Sequence, residues 1–185
     1  MSINLVKIKE ILTKYHSSFS GKTHNQENLD IDILMKLYNI TPELKQENKQ
    51  YWGRELGMIW ELVTKEYFKS HKDFREPRSD EFGTDKPVDY FFGKMAIDTK
   101  YRIGSGDSGT LKKFKQYGKM LTDMGYTPVF LILRSDNLTA AMTAAKAGGW
   151  QIYTANDSFN FIHHHIGVNF PQELLQFKDT YFIDK

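Results

Sequence analysis

Three residues of this chain are spaced so that one β-hairpin would bring them together: Asp89, Asp98 and Lys100. Val88–Phe92 and Met95–Tyr101 are rich in β-forming residues, and they flank Gly93-Lys94, a two-residue link whose leading glycine suits a type II′ turn. Counting outward from that turn pairs Phe92 with Met95, Phe91 with Ala96, Tyr90 with Ile97 and Asp89 with Asp98. Directly opposed residues on antiparallel strands hold their side chains about 5 Å apart on one face, where like charges repel. Two carboxylates placed so need something to offset the repulsion. A divalent cation such as Mg²⁺, which takes oxygen ligands, is the simplest candidate. Strand alternation returns Lys100 to the face of Asp98 and sends Met95, Ile97 and Thr99 to the other. Two carboxylates and an ammonium therefore converge at the open end of the hairpin. The plainer alternative is a solvated surface cluster of the same residues.

The elements that must position this hairpin lie on either side of it. Before it, Tyr51–Ser70 reads as a helix with Trp52, Leu56, Ile59, Trp60, Val63 and Tyr67 on one stripe. Phe74–Lys86 reads as a short strand and a loop. After the hairpin, the glycine-rich Gly104–Gly109 is a loop, and Ser108 is the expected cap of a helix reaching Gly125. Leu111, Phe114, Tyr117, Leu121 and Met124 form the apolar stripe of that helix. Pro128–Leu133 is a continuous apolar run, as a strand buried on both faces would be. Leu138–Ala147 is a helix stopped by Gly148-Gly149, Trp150–Tyr153 a strand, Phe159–His165 a short helix, and the tail from Pro171 helical at first. Upstream, residues 1–17 and Leu29–Tyr38 read as helices, residues 17–28 as a polar loop, and Thr41-Pro42-Glu43 as a helix start. The pattern predicts an α/β domain with a central mixed sheet and a helical N-terminal extension.

Composition narrows the chemistry. The 185 residues include no cysteine, which excludes disulfides, thiolate catalysis and Cys-based metal centres. No apolar run is long enough to span a membrane, and the first residues are too charged for a signal peptide, so a soluble, cytoplasmic protein is expected. The net charge of +2 is unevenly spread: Lys94–Thr122 carries +5 and the remainder −3. A local basic zone on a near-neutral chain suits either a polyanion footprint or a solvated lysine-rich helix face. His163-His164-His165 cannot all face one ion from a helix, since consecutive residues point about 100° apart. The tryptophans are expected in the core.

Pro87-Val88-Asp89 followed by Asp98-Thr99-Lys100, between a helix on each side, resembles the signature of the PD-(D/E)XK nucleases. The resemblance covers roughly residues 51–153 as a catalytic core, leaving 1–50 as a helical extension and 154–185 as a helical tail. It implies a core of helix, three strands, helix and strand. Two further acid-x-Lys matches, Glu43-Leu44-Lys45 and Glu47-Asn48-Lys49, lie in a polar helical stretch without a partner carboxylate. Family members often carry a glutamate on the first helix. Gly57-Met58-Ile59-Trp60-Glu61-Leu62-Val63 fits that pattern, although Glu61 lies opposite the predicted apolar stripe while Glu55 flanks it. The resemblance implies one Mg²⁺ held by Asp89, Asp98 and the backbone carbonyl of Thr99, with Glu61 touching it directly, through water or through a second ion. It implies hydrolysis of double-stranded DNA to leave 5′-phosphates, with Lys100 orienting the attacking water and stabilising charge. Arg102, Lys112, Lys115 and Lys119 are candidate contacts to the phosphate backbone. The arrangement also resembles the small subunits of heterodimeric type IIS restriction endonucleases, whose larger nickase partner reads the site. A self-sufficient homodimeric restriction enzyme, a resolvase or repair nuclease, and a non-catalytic DNA-binding or assembly subunit are the other readings.

Overall fold

A computed structural model describes residues 5–20, 27–104 and 106–183, the first segment by its backbone alone from residue 17 onward. In chain order the elements are α1 (Leu5–Ser20), α2 (Ile33–Tyr38), α3 (Pro42–Glu47), α4 (Lys49–Lys69), β1 (Phe74–Arg75), β2 (Tyr90–Phe92), β3 (Met95–Lys100), α5 (Ser108–Asp123), β4 (Thr127–Ile132), α6 (Thr139–Ala147), β5 (Gln151–Thr154), α7 (Asn156–Ile166) and α8 (Phe170–Leu175). They build one five-stranded sheet in the order β1-β2-β3-β4-β5, antiparallel from β1 to β3 and parallel from β3 to β5. The Gly93-Lys94 turn joins β2 to β3 directly and the irregular segment 76–89 joins β1 to β2, whereas parallel neighbours need a crossover, supplied by α5 and α6. Gly93 takes φ 56° and Lys94 does not share the positive φ, as a type II′ turn requires.

Strand β4 divides two cores. Val129 and Leu131 face the α2, α4, α7 and α8 side with Trp60, Phe68, Tyr90, Ile97, Ile162 and Phe170. Phe130 and Ile132 face the α5 and α6 side with Phe91, Ala96, Phe114, Leu121, Ala145 and Trp150. The unbroken apolar run of this strand thus buries both faces, as its sequence predicts. Both crossover helices lie on one side of the sheet, as a common right-handed turn of chain demands.

Helix α4 buries Trp52, Leu56, Trp60, Thr64 and Phe68, a seam of every fourth residue. Ile59, Val63 and Tyr67, predicted on the stripe, flank it instead. Thr64 enters the core because its hydroxyl donates back to the Trp60 carbonyl at 2.7 Å, leaving its methyl to pack. The indole N–H of Trp60 donates to the Leu131 carbonyl at 2.9 Å, pinning the middle of α4 to the central strand.

Several boundaries differ from expectation, each for a local reason. Helix α2 begins at Ile33, not Leu29, because the Asp32 carboxylate caps the Leu34 and Met35 N–H groups. Asp107, not Ser108, caps α5 through the Thr110 N–H at 2.9 Å. Helix α7 begins three residues early, after Ala155 turns the chain at φ 48°. Met124 is exposed, and Gly118 takes the inner position on α5. Helix α1 runs to Ser20, into the stretch 17–28 expected as a loop, and residues 1–4, 21–26, 105 and 184–185 lie outside the described residues. The segments flanking the expected core help to complete it: α2, α7 and α8 supply Leu34, Met35, Phe161, Ile162 and Phe170 to the larger core. Helix α1 differs, with Leu5 to His16 all exposed.

Gly118 makes the α5–α6 contact possible. A Cβ there would meet the Gly148 carbonyl and stand 2.6 Å from the Trp150 indole nitrogen, which donates to Phe114 O at 2.8 Å. Gly118→Ala is therefore expected to destabilise the protein by about 1–3 kcal/mol through overpacking, although alanine is the better helix former. Chemical denaturation checks this, and a stabilised variant would show that α5 can move away from α6 freely.

Candidate active site

The two strands of the hairpin separate at Asp89. The ladder runs Phe92↔Met95, Phe91↔Ala96, Tyr90↔Ile97 and stops there. Asp89 keeps one main-chain link, its N–H donating to Ile97 O at 2.8 Å, but stands outside the strand. The predicted Asp89–Asp98 ladder pair is thus corrected in detail. Pro87, which has no N–H to continue pairing, precedes the point where the chain turns off. Thr99 consequently loses a main-chain acceptor, and the Asp89 carboxylate takes that place. Its Oδ2 accepts the Thr99 N–H and the Thr99 hydroxyl, both at 2.6 Å.

Asp98 sits buried at the same place, within hydrogen-bonding reach of the Asp89 carboxyl. Its Oδ1 accepts from the Lys100 ammonium at 2.6 Å, and the same ammonium lies 3.3 Å from the Thr99 carbonyl. Burial pushes the Asp98 carboxyl up to about 7, with the Asp89 charge adding to the rise and Lys100 opposing it. Burial alone would lower Lys100, but Asp98, Asp89 and Glu61 together hold its pKa above the usual lysine value. Lys100 is therefore an ammonium, suited to donating hydrogen bonds and stabilising negative charge rather than to taking a proton.

Glu61 joins this group from α4. Its pKa is raised, first by burial and then by Asp89, while Lys100, Lys65 and Lys86 pull it down. The seam of α4 explains how it gets there. With Trp60 and Thr64 innermost, Glu61 lies on the seam's flank facing the hairpin, not on the opposite side as the predicted stripe suggests. Glu55 turns outward and pairs with its neighbour Arg54 at 2.8 Å. The structure thus brings together Glu61, Asp89, Asp98, Thr99 and Lys100, and leaves Glu55 apart.

The donors here are oxygens only, two carboxylates and the Thr99 carbonyl, and Asp98 is strained by a like charge that a divalent cation would relieve. That set fits a hard ion such as Mg²⁺. Among the described residues no three acidic or histidine side chains gather closely enough to hold an ion in common.

The candidate backbone contacts divide. Lys112 and Lys115 are exposed on α5 without an ion pair among the described residues, and Lys119 pairs with Asp123 at 3.0 Å. Arg102 is engaged: its Nε donates to the carbonyl and the carboxylate of Asp136 at 3.0 and 3.1 Å, tying the segment after β3 to the one after β4. His163 and His164 are exposed, while His165 packs on Phe161 and Phe92. Sequence reasoning missed two further cations that act on Glu61, Lys65 and Lys86. Lys65 follows Glu61 by four residues on the same helix face, a spacing that would have found it. No helix among the described residues is long and apolar enough to cross a membrane. No family model, characterised protein or solved structure matches the chain.

A carboxyl whose native pKa lies above its unfolded value stabilises the fold while it keeps its proton. For Asp98 that contribution is full below the usual 3.8 and is lost as pH rises through about 7. Metal-free protein is expected to lose stability between about pH 4 and 7 relative to Asp98→Asn, by roughly 4 kcal/mol at most, at about 1.4 kcal/mol per pKa unit. Denaturant unfolding across that range checks it. A difference independent of pH would mean that Asp98 is not held buried beside Asp89.

Proposed function

We propose that the protein is a Mg²⁺-dependent DNA endonuclease with a PD-(D/E)XK core. The observation that carries the reading is the meeting of Asp89, Asp98 and Lys100 at the parting of one hairpin, with Glu61 arriving from the preceding helix. A second support is the order α4, β1, β2, β3, α5, β4, which is the helix, three strands, helix and strand that the resemblance implies. Capping the Thr99 N–H accounts for the Asp89 carboxylate, but nothing in the packing of the sheet requires a second carboxylate, Asp98, buried beside it.

In this reading Asp89, Asp98 and the Thr99 carbonyl hold the metal. A bound Mg²⁺ supplies Lewis acidity toward the scissile phosphate and a water of lowered pKa. Lys100, held as an ammonium by Asp98, donates to the phosphoryl oxygens as negative charge builds on them and fixes the attacking water in line. Glu61 orients a water of the same cluster. Thr99, through its N–H and hydroxyl, keeps the Asp89 carboxylate turned toward Asp98. We further propose that the chain acts in the cytoplasm as the small cleavage subunit of a heterodimeric type IIS restriction enzyme, beside a larger DNA-reading nickase subunit.

The test is cleavage of supercoiled plasmid with Mg²⁺, by the protein alone and with the product of a neighbouring large reading frame. Asp98→Ala is expected to lower cleavage by at least 10²-fold, on the order of what removing one charge-stabilising group from a site does. A double-strand cut requiring both proteins and an intact Asp98 supports the subunit reading. Linear product from the protein alone would point to a homodimeric enzyme. Cleavage that survives Asp98→Ala, or no cleavage in either mixture, would sink the nuclease reading. A non-catalytic assembly subunit would then stand, which the lack of a three-carboxylate cage among the described residues also suits.

Metal binding gives an independent check. Below about pH 7 the ion must displace the Asp98 proton, so Mg²⁺ affinity is expected to fall up to tenfold per pH unit there. Calorimetry in buffers of different ionisation enthalpy reads the released proton. Affinity that stays level from pH 5 to 7 would count against Asp98 as a ligand.

A further inference from the structure

A groove of about 260 Å³ opens directly beside the carboxylates, between α4 and the segment 77–89. Glu61 and Asp89 line it together with three cations, Lys65, Arg78 and Lys86, and one further acid, Asp85. Cations able to meet a chain of phosphates thus share one groove with two of the carboxylates of the candidate site. Lys65 and Lys86 lie close enough to act on the Glu61 charge. Arg78 and Lys86 are exposed; Arg78 has only an exposed pairing with Asp80 at 3.9 Å, and Lys86 has no ion pair among the described residues. Lys65 holds Glu76 at 3.2 Å, at an end of the pair that is itself half exposed and readily exchanged for another anion.

The outer wall of this groove is a built structure. Glu81, almost wholly buried, accepts both terminal nitrogens of Arg75 at 2.9 and 2.7 Å, and also the Arg78 N–H at 3.0 Å. Arg75 stacks 3.7 Å over the Phe91 ring and donates to the Tyr126 hydroxyl at 2.8 Å. Phe82, which lines the groove, stacks against the same Phe91 ring. The pairing depresses the Glu81 pKa, so the brace stays charged in neutral solution. A segment with two strand residues before it and no regular structure of its own is therefore fastened to β1, β2 and the end of α5, with Arg78 carried on the fastening residue's own hydrogen bond.

Resting on the nuclease reading, we infer that this groove seats the sugar–phosphate backbone of the strand to be cut. Lys65, Arg78 and Lys86 are its phosphate contacts, and the Arg75–Glu81 pair positions Arg78. The cations of α5 that sequence spacing suggests are then secondary. Lys112 and Lys115 stand on a helix packed against the opposite sheet face from α4 and line no part of this groove.

The probe is a fluorescein-labelled duplex, its binding followed by anisotropy over a range of salt with Ca²⁺ replacing Mg²⁺ so that binding is read without cleavage. Each lost phosphate contact lowers the slope of log affinity against log salt by about 0.9. Lys65→Gln/Arg78→Gln/Lys86→Gln is expected to bind on the order of tenfold more weakly and to lose two to three from that slope. Lys65→Arg/Lys86→Arg should retain both. Lys112→Gln/Lys115→Gln/Lys119→Gln should show the smaller loss. Arg78 and Lys86 are exposed, so Arg78→Gln/Lys86→Gln alone keeps the test alive should the triple variant misfold. An unchanged slope in the groove variants, a larger loss in the α5 variants, or no binding by the wild-type protein at low salt would overturn the inference. Groove-dependent binding in a protein that cleaves neither alone nor with its partner would leave the inference standing and remove the nuclease reading. Cleavage with groove-independent binding would do the reverse.

Discussion

A hairpin that ends must leave main-chain groups behind, and in this protein everything about the site follows from how one such group is satisfied. The Thr99 N–H faces the side that β2 vacates, and the Asp89 carboxylate takes it up along with the Thr99 hydroxyl. A buried donor without a partner would be destabilising by about 1–3 kcal/mol, so the carboxylate is held where it is by the needs of the sheet. That placement sets it against Asp98, and Asp98 in turn draws the Lys100 ammonium to it. A backbone requirement thus assembles a charged cluster, and the helix carrying Glu61 is brought to it by an equally plain contact, the Trp60 indole on the Leu131 carbonyl.

The cluster is electrostatically unsettled, which distinguishes it from the other charged groups of the protein. Arg75 with Glu81, and Arg134 with Asp136, are opposite charges whose mutual attraction holds each in its ionised state. At the hairpin, like charges face each other and burial works against both Asp98 and Glu61. Groups perturbed by burial together with a specific charged neighbour, beside a groove, are the observation that supports the proposed catalytic role. The same arrangement lowers the stability of the empty fold, and the two well-packed cores on either side of β4 offset it.

Much of this was legible in the residues. The turn at Gly93-Lys94, the two-faced burial of β4, the Thr41-Pro42 helix start and the glycine stop after α6 each rest on local stereochemistry, and each appears where the sequence places it. What failed was whatever depended on distant packing. Thr64 reads as polar, yet it completes the α4 seam because a helix can satisfy a hydroxyl internally, and this one residue shifts the seam toward Glu61. Asp32 and Asp107 cap helices that sequence started elsewhere, since several polar residues in each loop could have served. Arg102 counted as a free cation, and only the fold reveals Asp136 beside it. The groove cations were overlooked because Lys65, Arg78 and Lys86 are scattered over more than twenty positions and no periodicity links them.

Arg134 has a consequence of a different kind. Its guanidinium, almost wholly buried after β4, reaches the carboxylates of Asp32 and Asp136 and the carbonyls of Asn28 and Asp30. Lys45 joins Glu27 to the Tyr101 hydroxyl in the same network, next to Lys100 in sequence. The irregular segment 27–32 has little side-chain packing of its own, so a single charge inside the domain holds it in place. Loss of residues 27–32 would strip the buried cation of Glu27, Asp32 and the Asn28 and Asp30 carbonyls, leaving Asp136 as its remaining carboxylate. How far the segment before α2 could be trimmed is therefore set by the valence of one arginine.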